Sequence, residues 1–153
     1  MVEIICLPAE AVAQAGQVWY NYNMTDKEIE KLLPIFEKYP TVKLVYLFGS
    51  RATGKVGPLS DYDFAVYLDE KDSLKRFDIR LQITGELSGA LKTDAIDVVV
   101  LNDLAMPEMK FSIIQEGKLI FGREPFKVLV EPRIITEYID FHELLTRHGL
   151  TKA

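Results

Sequence analysis

Two apolar runs, Val42 to Phe48 and Tyr62 to Leu68, constrain this chain more than any other feature. The first is β-branched and aromatic and alternates poorly, the pattern of a strand covered on both faces. Gly49 to Gly57, between the two, holds three glycines and two cations and reads as a turn region. A third, valine-rich strand is predicted over Ala95 to Leu101. Helical patterns supply the cover. Thr25 and Glu28 have capping-box spacing ahead of the stripe Ile29, Leu32, Leu33 and Phe36; Pro34 is a potential kink and Pro40 a stop. Ser73 to Leu91 reads as an amphipathic helix on Leu74, Phe77, Leu81, Leu87 and Leu91. Pro107 to Gln115 is a helix stopped by Gly117, and Lys118 to Phe121 a short strand. From Phe126 the pattern is a long helix interrupted by Pro132. This order predicts an α+β fold, a mixed sheet with flanking helices on one face.

At 153 residues the chain is one domain's worth. It divides into an N-terminal arm at 1–24, a main domain at 25–122 and a helical tail at 123–153. Hydrophobic residues at 48% and charged residues at 27% are ordinary soluble values, which exclude disorder and coiled coil for most of it. The net charge of −5 repels phosphate backbones, so direct nucleic-acid binding is not expected. Cys6 is the sole cysteine, which excludes an intramolecular disulfide and a cysteine-based zinc site. No basic-then-apolar leader opens the chain and no run nears the ~20 residues of a membrane span, so a cytoplasmic protein is expected. His142 and His148 lie six apart, a poor ligand spacing on one helix, and read as surface residues.

Chemistry concentrates in Leu47-Phe48-Gly49-Ser50 and, ten residues on, Asp61-Tyr62-Asp63-Phe64. Residues i and i+2 of a strand share a face about 7 Å apart, so Asp61 and Asp63 project together while Tyr62, Phe64 and Val66 turn into the core. Two such carboxylates repel unless a cation intervenes, and hard oxygen ligands suit Mg²⁺ completed by phosphate oxygens and water. Gly49 lets backbone approach a ligand closely, and N–H groups at a helix start, with the Ser50 hydroxyl, make a seat for phosphate. Arg51 could meet a phosphate oxygen or pair with an acidic neighbour. Asp97 lies in a run that reads as buried, where an unpaired charge would be costly; beside Asp61 and Asp63 it would complete a set able to hold two ions about 3.5–4 Å apart. That is the arrangement of in-line phosphoryl or nucleotidyl transfer.

Gly49-Ser50, ten residues, then Asp61-x-Asp63, with Asp97 on a later strand, closely resembles the nucleotidyltransferase superfamily related to DNA polymerase β. The wording Ser60-Asp61-Tyr62-Asp63 and the downstream Ile113 to Phe121 are similar to its minimal nucleotidyltransferases, including antitoxins of HEPN/MNT toxin–antitoxin pairs. The resemblance covers roughly residues 25–122 and implies a polymerase β palm-like fold. It implies further that Gly49 and Ser50 hold the nucleotide phosphates, that Asp61 and Asp63 bind Mg²⁺, and that Asp97 completes the metal site and orients or deprotonates the attacking hydroxyl. In the antitoxin branch, AMP moves from ATP onto a tyrosine of the HEPN RNase partner. Two alternatives stay open: a binding antitoxin that acts by contact, and transfer to a small-molecule hydroxyl such as an aminoglycoside.

In the tail, Ile134, Tyr138, Phe141 and Leu145 recur at helical spacing, widened by Ile135, Ile139 and Leu144. The stripe suits a helix docked on its own domain, or one partly given to an oligomer or a heteromeric complex.

Overall fold

Strand pairing sets the frame of the computed structural model, which describes residues 24–53 and 60–151. β1 (Val42–Phe48), β2 (Tyr62–Leu68), β3 (Ile96–Val100) and β4 (Lys118–Gly122) form one sheet in the order β3-β2-β1-β4. β1 runs antiparallel to both β2 and β4, while β2 and β3 are parallel. A parallel pair needs a long crossover, and the 19-residue helix Ser73–Leu91 provides it. The mixed sheet is as expected. The arm at 1–24 lies, apart from Met24, outside the described residues, as do Cys6 and residues 54–59 of the turn.

The helices are α1 (Asp26–Glu37), the four-residue α2 (Ser50–Thr53), α3 (Ser73–Leu91), α4 (Pro107–Glu116) and α5 (Phe126–Arg147). α1 opens with the capping box: the Thr25 N–H donates to Glu28 Oε2 at 2.8 Å and the Glu28 N–H to Thr25 Oγ1 at 3.3 Å. It continues through Pro34, and α5 continues through Pro132 without the expected interruption. A proline leaves the carbonyl four residues earlier without its helical donor. Those carbonyls belong to Glu30 and Val128, both exposed, so water can serve them.

Helices cover both faces of the sheet, not one. On the first face α1 and α3 bury Leu32, Phe36, Ile83 and Leu87 against Val45, Leu47, Phe64 and Val66. On the second, α4 and α5 bury Ile113, Val130 and Ile134 against Leu44, Tyr46 and Ala65. Tyr46 is the physical reason for the second layer: it is 1% exposed, and its hydroxyl donates to Glu131 Oε1 of α5 at 2.8 Å. Burial, reinforced by that carboxylate, pushes the phenol well above its ordinary range.

α3 departs from its expected stripe. Leu87 and Leu91 pack on the core as expected, but Leu74, Phe77 and Leu81 are exposed, and Ile79 and Ile83 complete the docking row at spacings of four. No helix among the described residues is long and apolar enough to cross a membrane.

Candidate active site

β1 delivers the chain to Gly49, which adopts φ +72°. Glycine is required here twice over. L-residues avoid that region, and a Cβ would stand 2.2 Å from Asp63 Oδ2. The backbone turns at once into α2, whose Ala52 and Thr53 N–H groups donate to the Gly49 carbonyl at 3.1 Å each. With four residues α2 has little macrodipole, so any anion seat here comes from the local turn and the half-buried Ser50 rather than from a helix terminus.

Asp61 is exposed just before β2, and Asp63 is half-buried as its second residue. The strand period separates them from their neighbours. Tyr62, Phe64 and Val66 pack on the α1/α3 side, whereas Asp63 shares the other face with Ala65 and Tyr67. Register then places Asp63 opposite Phe48 of β1 and directly beside Asp97 of β3. Asp97 itself is exposed, because β3 is the edge strand and buries only one side. The expectation that burial forces a partner on Asp97 therefore fails, although the residue does lie next to Asp63.

Electrostatics mark Asp63 as the strained member. Partial burial, then Asp97, then Asp61, hold its carboxyl above the usual aspartate range, and Arg51 partly offsets them. Among the described residues no three of His, Cys, Asp and Glu close around a single point by themselves. Mg²⁺ needs only one or two carboxylates when phosphate oxygens and water supply the rest, so the acid surplus around Asp63 fits that ion.

Arg51, expected at a phosphate or on an acidic neighbour, acts on Asp63 through its charge and makes its hydrogen bonds and ring contact beside that residue. Its guanidinium carbon lies 3.7 Å from the centre of the Tyr62 ring, and Nη2 and Nε donate to the Ser60 carbonyl at 2.9 and 3.3 Å. Sequence reasoning missed Tyr62 as a stacking platform. The signal available was an aromatic ring between two aspartates, close in sequence to a lone arginine. His142 is exposed on α5 against Tyr138, away from these groups in the fold, and His148 is exposed beyond that helix.

A family model described as polymerase beta, nucleotidyltransferase, matches residues 30–126, which include Gly49, Ser50, Arg51, Asp61, Asp63 and Asp97. Protein adenylyltransferase MntA of Aphanizomenon flos-aquae is 33% identical over 109 residues, 63% of this chain and 69% of the relative. A crystal structure of a toxin–antitoxin with AMP-PNP superposes with TM-score 0.62 at 27% identity, covering 79% of this chain and 92% of that one. A structure of a tri-AMPylated Shewanella oneidensis HEPN toxin in complex with MNT antitoxin gives TM-score 0.56 at 25% identity, covering 79% and 89%. With the family model spanning well over half the chain, and the glycine turn and carboxylates on its sheet, this protein belongs to the polymerase beta nucleotidyltransferase family.

Proposed function

We propose that this nucleotidyltransferase moves AMP from ATP onto a tyrosine hydroxyl of a HEPN-domain partner and so acts as an antitoxin. One observation carries the chemistry. The Asp63 carboxylate sits where a side chain on residue 49 would be, so the glycine turn meets Asp63, with Asp97 its register neighbour on β3. The partner and the nucleotide are supported by the relatives, one named a protein adenylyltransferase and others solved with AMP-PNP or with an AMPylated HEPN toxin.

In this reading Gly49 and Ser50 seat the β- and γ-phosphates, while Asp61 and Asp63 hold Mg²⁺. The metal, when bound, neutralises charge on the α-phosphoryl group and the leaving pyrophosphate. The acceptor oxygen attacks the α-phosphorus, the bond to the bridging oxygen breaks, and pyrophosphate leaves. Asp97 orients the hydroxyl and takes its proton; its exposure on the edge strand lets a macromolecular acceptor reach it. Most of the rate comes from positioning and electrostatics. Ile139 and Leu144, exposed on α5, offer apolar surface for the partner.

The test is incubation with ATP labelled at the α-phosphate, Mg²⁺ and a candidate HEPN protein. Label on a partner tyrosine is the expected result. Tight complex formation without label overturns it in favour of a contact-only antitoxin, and label on an aminoglycoside moves the acceptor to a small molecule.

A further inference from the structure

We infer that Arg51 is a positioning residue that locks the two halves of the site together, rather than a ligand of the nucleotide. The inference rests on the proposed site and adds a role for this side chain. Arg51 belongs to α2, one residue after Ser50, yet its guanidinium hydrogen-bonds to Ser60, two residues before β2, and stacks on Tyr62, the first residue of that strand. It grips the residue before each aspartate: Ser60, through its carbonyl, ahead of Asp61, and Tyr62, through its ring, ahead of Asp63.

That grip is anchored. The Tyr62 ring stacks on Phe64 at 6.4 Å between centroids and 8° between planes, and Phe64 is fully buried. The chain of contacts therefore runs from the turn through Arg51 and Tyr62 into the core. It ties the segment carrying Ser50 to the strand carrying the carboxylates, across the eight residues between Arg51 and Ser60. On the opposite side, Gly49 and Asp63 approach so closely that no side chain fits between them. A close approach on one side and a brace on the other fix the spacing of cradle and acids. Arginine suits the task because one planar group can stack on a ring and donate a fork of hydrogen bonds at once, which an ammonium cannot.

The test separates a brace from a phosphate ligand with five variants of the full chain: Arg51→Lys, Arg51→Met, Tyr62→Phe, Tyr62→Leu and the double variant Arg51→Met/Tyr62→Leu. For Arg51→Lys and Tyr62→Leu, kcat for AMP transfer should fall by about 10–100-fold, as for a small misplacement of catalytic groups, while KM for ATP moves by less than about threefold. Tyr62→Phe, which keeps the ring face, should stay within about twofold of the parent. In the Arg51→Met background, adding Tyr62→Leu should cost little more, because the contact is already gone. The cycle of parent, Arg51→Met, Tyr62→Leu and their double variant, followed in thermal melts without nucleotide or metal, should give a coupling between residues 51 and 62. That readout survives even if the protein transfers nothing, so failure of the functional reading is told apart from failure of the brace. A rise of about tenfold or more in KM for ATP with unchanged kcat in Arg51→Lys makes Arg51 a phosphate ligand and overturns the inference. Additive effects of the two residues in both assays overturn it too. Should Arg51→Met not fold, Arg51→Lys with the two Tyr62 variants still decides.

Discussion

The two faces of the sheet are built from the same strands and do different work. Toward α1 and α3, β2 presents Phe64, Val66 and Leu68, all fully buried in an aliphatic and aromatic layer. Toward α4 and α5, the same strand presents Asp63, Ala65 and Tyr67, and the layer contains the Tyr46–Glu131 hydrogen bond and ends in carboxylates. A strand changes face with every residue, so adjacent positions can be given separately to stability and to chemistry. Substitutions one residue apart should therefore fail in opposite ways.

Asp63→Asn should show the largest effect. Transfer falls by at least about 10³-fold, equivalent to roughly 4 kcal/mol of transition-state stabilisation, because the carboxylate proposed to hold the metal is lost. Yet the variant should melt at the same temperature as the parent or higher when metal is chelated at pH 7. The sign follows from the raised carboxyl. A folded-state pKa above the unfolded one contributes stability in acid, below the unfolded value, and that contribution is lost as pH rises through the folded value. At neutral pH the ionised Asp63 opposes folding, and asparagine removes the charge. A clearly lower melting temperature in EDTA would make this carboxylate a structural group.

Phe64→Ala, the next residue along, should invert the pattern. It removes a fully buried ring and should cost about 3–5 kcal/mol in denaturant unfolding, while transfer by the fraction that stays folded falls far less than in Asp63→Asn, through the lost support of Tyr62 alone. Gly49→Ala falls between the two. The left-handed backbone costs about 1–2 kcal/mol, and the new methyl must displace the Asp63 carboxylate, so transfer should drop about 10²-fold. Equilibrium unfolding paired with the AMP-transfer assay checks both.

Local patterns carried much of this architecture. The bounds of β1, β2 and α3 follow from runs of apolar residues and from punctuation by Gly49; the structure adds an N-cap at Asp72, whose Oδ1 accepts the Leu74 N–H at 2.9 Å. The alternation around Asp61 and Asp63 was legible because a period of two needs no tertiary knowledge. Coverage of the second face was not, since it depends on α5 folding back to meet Tyr46 from 85 residues away. Nor was the exposure of Asp97, which is set by strand order: the same sequence in a central strand would be buried. Arg51 was ambiguous because a guanidinium beside a phosphate seat and one beside a tyrosine read alike until β2 is placed.

The smallest expected effect lies on α3, where a regular stripe and actual burial part company. Leu74, Phe77 and Leu81 fit a helical period and are 74%, 49% and 51% exposed, whereas Ile83 and Leu87 are fully buried. The N-terminal half of α3 passes the groove formed with Val99, Val100 and Leu104, while its C-terminal half lies over the sheet. Phe77→Ser should change unfolding free energy by less than about 0.5 kcal/mol, as for other exposed positions. Ile83→Ala, six residues on, should cost about 2–5 kcal/mol because it empties a packed site. The ratio matters more than either value, since helix propensity enters both. Comparable losses at the two positions would mean that Phe77 is packed in solution, and that the α1/α3 face extends past the edge strand.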